Sequence, residues 1–357
     1  MTLGIAREKT DKHETLRRTL QQDIAEGRFR PGDLFYSQNE IAERFGVSQT
    51  TVLRALRALV EDGYIRREPG RGTFVNRPRE TPRKLRSILV VGYDPQVFQK
   101  TDIAAEPMEM LFARAAQEGI RMQYVHTPAA ANGELALPDL CDFDGIIFNY
   151  GGWGLPWRIV HETDAAIVII RPADFTTVGR FDIVNRDYIG GPRAVLEHFR
   201  ERGYRSVGIL GGAEHSPTHH IRMEGSLRGA IEFGFTIKPE WIVLGEWNPE
   251  KTYRGSLELL RKEDRPRAVF AFGDGTAAQV IRAAHDLELR VPQDVAVAGF
   301  DDLDIARHLS PALTCYRTDA AELARTVYEL LETRLADPDL PARYVVIPGA
   351  VVVRQST

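Results

Sequence analysis

The chain's most conspicuous reactive side chains are suited to gripping other molecules rather than to making or breaking bonds. Ser37, Asn39, Ser48, Gln49, Thr50, Thr51 and Arg54 fall within one short N-terminal stretch. A carboxamide pairs with the N6/N7 edge of adenine, and hydroxyls at a helix start hold a phosphate beside free N–H groups. A guanidinium meets a phosphate as a charge that carries no sequence information. Further along, Tyr93, Asp94, Tyr150, Trp153 and Arg171 each follow an apolar run, as does Asp274, which also stands where a helix would begin. Bond-making chemistry lacks its usual spacing: no G-x-S-x-G, G-x-x-x-x-G-K-[ST] or H-E-x-x-H string occurs. His219 and His220 are adjacent, so on a helix they diverge by about 100° and make a poor metal pair. Cys141 and Cys315 are too few for a disulfide framework or a Cys-rich zinc site. No metal and no cofactor is expected.

Positioning the first group requires helices. Leu16, Leu20 and Ile24 recur at helical spacing before Gly27, and Arg30-Pro31-Gly32-Asp33 makes a turn. Ser37 stands three residues before Glu40, a capping box that opens a short helix through Phe45, which Gly46 ends. Ser48 then caps a helix over 49–61, with Val52, Leu56 and Leu59 as its buried stripe. Residues 64–68 alternate like a strand, Pro69-Gly70-Arg71-Gly72 turns the chain, and Thr73-Phe74-Val75 returns. These elements predict a helix-turn-helix followed by a β-hairpin wing.

Residues 77–85 are charged and broken by prolines, which reads as a solvated linker. Beyond them apolar runs at 88–91, 122–125, 145–148, 166–170, 207–210, 241–244, 268–272 and 295–299 alternate with helix-like stretches at 108–119, 190–202, 223–233, 253–261, 276–287 and 320–335. Alternating β and α over this length predicts a parallel α/β architecture in two units with a cleft between them. Ligands in such sheets bind beyond the carboxyl ends of strands, which is why Tyr93, Tyr150, Arg171 and Asp274 are candidates. The domain expectation is 1–76, a linker over 77–85, and 86–357.

At 357 residues the chain is too long for one ordinary domain, and 43% hydrophobic residues allow each part a core. Residues 1–86 hold 18 Lys and Arg against 12 Asp and Glu, whereas the remainder holds 28 against 38. A basic small segment on an acidic large one suits a polyanion partner for the small one. No apolar stretch approaches a membrane span, and the first residues lack the apolar core of a signal peptide. A cytoplasmic location with no membrane partner is the expectation.

The segment PGDLFYSQNEIAERFGVSQTTVLRALRALVEDGYIRREPGRGTFV resembles the winged helix of GntR-type bacterial transcription regulators. The resemblance implies binding of double-stranded DNA, with Gly70 and Arg71 at the wing tip reaching the minor groove or its backbone. The chain departs from the family's usual arginines at Asn39, Gln49 and Leu53. The strings HFRERGYRSVGILGG, RAVFAFGDGTAAQVIRAA, LRVPQDVAVAGFDD and SPALTCYRTD resemble the effector domains of LacI/GalR-type repressors, across almost all of 86–357. That resemblance implies a periplasmic binding protein type I fold of two Rossmann-like lobes. It also implies a small-molecule effector in the interlobe cleft, most readily a sugar, and a homodimer on a pseudo-palindromic operator. By the same resemblance Asp301 accepts hydrogen bonds from ligand hydroxyls, Arg222 grips the ligand with its guanidinium, and Trp247 stacks on its face. The whole chain looks like the hybrid class of arabinose-responsive repressors, and not like an enzyme. The rival reading is an enzyme that uses the α/β part under a regulatory winged helix.

Overall fold

The structure is a computed structural model. It describes residues 7–30, 32–68, 70–76, 84–93, 105–127, 137–149, 163–170, 181–214 and 216–357. The chain forms two compact units, Met1–Arg83 and Lys84–Thr357. In the first, α1 (Arg7–Ala25), α2 (Gln38–Phe45) and α3 (Gln49–Glu61) precede a hairpin of β1 (Ile65–Glu68) and β2 (Gly72–Val75). Ser37 accepts from the Glu40 amide at 3.3 Å, and the Glu40 carboxylate accepts from the Ser37 amide at 2.6 Å. This reciprocal cap fixes where α2 starts. Gly46, at φ 62°, ends it in the left-handed region, where a glycine carries no Cβ penalty. Leu16, Leu20 and Ile24 meet Ile41, Val52, Leu56, Leu59, Ile65 and Val75 in one core. Each such side chain contributes roughly 1.5–3 kcal/mol when fully buried. The hairpin is antiparallel, pairing Ile65 with Val75 and Glu68 with Gly72.

The second unit holds two six-stranded sheets. The first contains, in spatial order, β13 (Tyr344–Ile347), β7 (Asp182–Arg186), β6 (Ala166–Ile170), β5 (Gly145–Asn149), β3 (Ser87–Tyr93) and β4 (Arg121–Thr127). All its pairings are parallel. The second runs β14 (Gly349–Val352), β12 (Thr314–Thr318), β11 (Ala296–Phe300), β10 (Ala268–Ala271), β8 (Val207–Gly211) and β9 (Ile242–Leu244). Only β14 is antiparallel there. Strands β6, β8, β10 and β11 are buried on both faces, which explains their unbroken apolar runs.

Helix α4 (Ala105–Glu118) covers the first sheet. Helices α5 (Gly190–Glu201), α6 (Pro217–Phe233), α7 (Pro249–Leu260), α8 (Asp274–Asp286) and α9 (Asp304–His308) belong to the second. The chain passes between lobes after β7, after β12 and between β13 and β14. Helix α10 (Ala320–Ala336) follows β12, yet its Leu323, Val327, Leu330 and Leu331 lie in the core of the first lobe with Leu111 and Val168.

Strands β3, β4, β5, β6, β8, β9, β10 and β11 coincide with the eight apolar runs, whereas β7, β12, β13 and β14 lie outside them. Strand β9 starts one residue later than its run, since Trp241 closes a short 3-10 turn at Pro239–Trp241. Helix α6 begins at Pro217, ahead of the expected 223, because the Pro-Thr-His-His start carries little apolar signal.

Candidate functional site

At the N-terminal unit, the helix starts bring the polar side chains together. Ser48 caps α3 by accepting from the Thr51 amide at 3.3 Å, and its hydroxyl lies 2.8 Å from that of Thr51. Ser37 is spent on the α2 cap. Gln49 opens α3, and its Nε2 donates to Asn39 Oδ1 of α2 at 2.8 Å. Thr50 and Arg54 are exposed on α3, as is Leu53 at 42%. At the hairpin tip Gly70 has φ 76°, and Arg71 pairs with Glu68 at 2.9 Å while staying largely exposed. The arrangement presents amides, hydroxyls and a cation from one helix pair, with little of it buried.

The second group lies at the carboxyl ends of β8, β10 and β11. Asp301 follows β11 with φ 105°, and Asp302 has φ 59°. Glu246 and Trp247, after β9, are also left-handed at φ 52° and 56°. Non-glycine residues held there are strained, and such strain gathers where a loop must aim a side chain. Arg222 is 1% exposed on α6. Its Nη2 donates to Asp301 Oδ1 at 3.2 Å and its Nη1 to the Phe272 carbonyl. The guanidinium lies 4.1 Å from the Phe300 ring centre and 4.9 Å from that of Tyr188. Arg186, the last residue of β7, donates to the same Asp301 oxygen at 3.4 Å. Asp301 is thus held by arginines from both lobes.

Asp274 lies deeper, fully buried at the start of α8. Its Oδ2 accepts from the Leu303 amide at 2.6 Å and its Oδ1 from the Cys315 thiol at 3.0 Å. Burial, and then the charge of Asp301, pushes its carboxyl up to about 7. Burial beside Asp274 likewise pushes the Cys315 thiol up. Asp302 pairs with Arg354 at 2.6 Å. Trp247 is 44% exposed, and its ring covers Gly212 so closely that a Cβ there would lie 2.0 Å from Cζ2. His219, buried one turn before Arg222, packs against Gly211 and Phe272, and burial lowers its pKa.

The structure therefore pairs Arg222 with Asp301 at the end of β11, and sets the Trp247 ring over Gly212 and near Gly273, at the ends of β8 and β10. It places Asp274 beneath them, with both of its oxygens engaged. Tyr150 and Arg171, with Asp94 and Trp153, fall outside the described residues, as does 77–83 of the linker. Tyr93 ends β3, and only its backbone is described. Sequence reasoning missed Arg186, which sits in a strand too polar to be read as one. Among the described residues no cluster of His, Cys, Asp or Glu could hold a metal ion.

Comparison with known proteins agrees with this division. Residues 12–75 match the family model for bacterial regulatory proteins of the gntR family, and residues 196–357 match that for a periplasmic binding protein-like domain. The HTH-type transcriptional repressor PurR of Proteus mirabilis (strain HI4320) is 33% identical over 183 residues, covering 51% of this chain and 52% of that protein. PurR of Photorhabdus laumondii subsp. laumondii is 34% identical over 184 residues, 52% of each chain. The chain spans about half the length of the curated relatives it matches. Among solved structures, a transcriptional regulator CelR–cellobiose complex has a TM-score of 0.65 at 20% identity, covering 90% of this chain and 100% of that one. The Escherichia coli transcriptional repressor ascG has a TM-score of 0.63 at 21% identity, covering 76% and 99%. The chain joins a GntR-type winged helix to a periplasmic binding protein-like domain with the fold of LacI-type regulators.

Proposed function

We propose that the protein is a DNA-binding transcriptional repressor, with domains at 1–76 and 86–357 and a linker at 77–85, working in the cytoplasm as a homodimer. A small-molecule effector, a sugar, enters between the lobes of the second domain and changes the affinity of the first for its operator. The observation that carries this reading is the pairing of Arg222 with Asp301 at the strand ends, beside the half-exposed Trp247 ring. A carboxylate acceptor, a fork of N–H donors and an aromatic face together suit hydroxyls on one side of a ligand and C–H groups on the other. Arg186 reaches Asp301 from the other lobe, so a ligand that engages Asp301 competes with a contact between lobes. That competition is the physical route from ligand to lobe angle, because a ligand shifts an equilibrium only by its differential affinity for the two states. The relatives named as repressors, and a similar structure described as a cellobiose complex, support the same reading.

Ser48, Thr50, Thr51 and Arg54 would engage phosphates, with Ser37 anchoring α2, Asn39 and Gln49 at base edges, and Gly70 and Arg71 at the minor groove. Tyr93, Tyr150 and Arg171 would complete the ligand site from the first lobe, with Asp274 setting the Asp301 loop. The test is a thermal-shift screen of the full chain against pentoses, hexoses, uronic acids and purines. A tight ligand raises the melting temperature by mass action. A rise with a neutral sugar supports the assignment; a rise only with purines or uronic acids replaces the sugar by that class.

A further inference from the structure

The hydrogen bond between Asn39 and Gln49 changes what the two side chains offer to DNA. Each amide alone carries a donor and an acceptor and can read the N6/N7 edge of adenine unaided. Here the Asn39 oxygen is already engaged by Gln49 Nε2 at 2.8 Å. The groups left wholly unengaged by that bond are the Nδ2 donor of Asn39 and the Oε1 acceptor of Gln49, while the bonded Oδ1 and Nε2 each keep one further site. Both residues are exposed, and they come from the first turns of two successive helices, Gln38–Phe45 and Gln49–Glu61. A second feature lies on the same helix. Leu53 follows Gln49 by one turn, so the two share a face, and Leu53 is 42% exposed while Val52 and Leu56 are buried in the core. An apolar side chain left outside on that face matches the one apolar group of the major groove, the thymine 5-methyl.

We infer that Asn39 and Gln49 act as one composite reader of a single adenine, with Leu53 seated on a thymine methyl beside it. Asn39 Nδ2 donates to adenine N7 and Gln49 Oε1 accepts from adenine N6. Guanine is rejected because its O6 would face the Gln49 oxygen, two acceptors with no hydrogen between them. This deepens the DNA-binding reading and rests on it. It assigns the preferred base, and it makes the two amides interdependent rather than separate contacts.

The experiment uses the full chain and duplexes enriched from a random-sequence library, with affinities read by fluorescence anisotropy at fixed salt. The expected result is an adenine at one position per half-site whose replacement by guanine weakens wild-type binding by roughly 5- to 150-fold. Asn39→Ala and Gln49→Ala each weaken the preference at that same position and at no other, and their effects in the double variant are less than additive. Replacing the adjacent thymine by uracil removes only its methyl. It weakens the wild type about fourfold, the worth of one buried methyl, and leaves Leu53→Ala unaffected. Preferences lost at two different positions, additively, would overturn the composite reader while leaving the DNA-binding function intact. Equal sensitivity of wild type and Leu53→Ala to uracil would overturn the thymine contact. Failure of the wild type to enrich any sequence would overturn the DNA-binding reading itself.

Discussion

The face built from α2 and α3 and the strand-end site of the second unit use similar side chains in opposite ways. On the helices, Gln49, Thr50 and Arg54 are exposed, and their local bonds, such as Gln49 to Asn39, are of a kind water or DNA replaces at little cost. At the strand ends, the side chains of Arg222 and Asp301 are almost wholly buried, and each is held by more than one partner. An exposed ion pair contributes about 0–1 kcal/mol, whereas removing one member of a buried pair costs several. The exposed residues of the first surface can therefore change, and with them the base preference proposed for it, at little cost to the fold. The second couples recognition to stability, because the groups that would meet a ligand also hold the lobes.

Substitutions sharpen that contrast. Arg222→Ala leaves the Asp301 carboxylate without one of its two arginines and opens a gap between Phe300 and Tyr188. It should destabilise the second unit by about 3–5 kcal/mol in denaturant titration, while the first unit unfolds as in the wild type. An effect below ~1 kcal/mol would remove the contrast.

Asp274 gives a pH signature. Its folded-state pKa, raised to about 7 by burial and by Asp301, exceeds that of an unfolded aspartate, about 3.9. The folded protein keeps this proton through a range in which the unfolded chain has lost it. The stability it contributes is full below about pH 4 and declines as pH rises toward 7, at up to about 1.4 kcal/mol per pH unit. Asp274→Asn should flatten that decline, as seen in melting curves between pH 4.5 and 7.5. An unchanged slope would place the titration elsewhere.

Ser48→Ala removes the α3 cap and should cost about 1 kcal/mol in the first unit alone. Arg54→Ala should have the smallest effect on the fold, none measurable. It should lower the log–log salt slope of DNA binding by about 1 and weaken all duplexes by the same factor. A sequence-dependent loss would move Arg54 from phosphate to base.

The two regions also differed in how far they could be read from sequence. Helices α2 and α3 were legible to the residue because Ser37, Glu40, Gly46 and Ser48 fix their ends through local hydrogen bonds. Strand β7 was not, because Asp182, Asn185 and Arg186 interrupt its apolar pattern. Distant residues supply their partners: Arg334 lies 2.9 Å from Asp182, and Asp301 receives Arg186. Strands β13 and β14 lie at sheet edges, partly exposed and without a strong period. Asp301, Arg222 and Trp247 came into view through family resemblance alone. No local pattern announces that Arg222 will meet Asp301, 79 residues away, or that it will do so buried.

The claim at the centre of this account is that ligand occupancy at Asp301 alters DNA affinity. Its most direct test is titration of a labelled, library-enriched duplex with the full chain, with and without the sugar giving the largest thermal shift. Wild type and Asp301→Asn are compared, since asparagine tolerates the positive φ at that position. The expected result is that the sugar shifts wild-type DNA affinity by at least about fivefold, and that Asp301→Asn, which weakens the same Arg186 contact, binds the duplex with an affinity the sugar no longer changes. A sugar that binds the wild type without moving its DNA affinity, or an Asp301→Asn variant that responds as the wild type does, would contradict it.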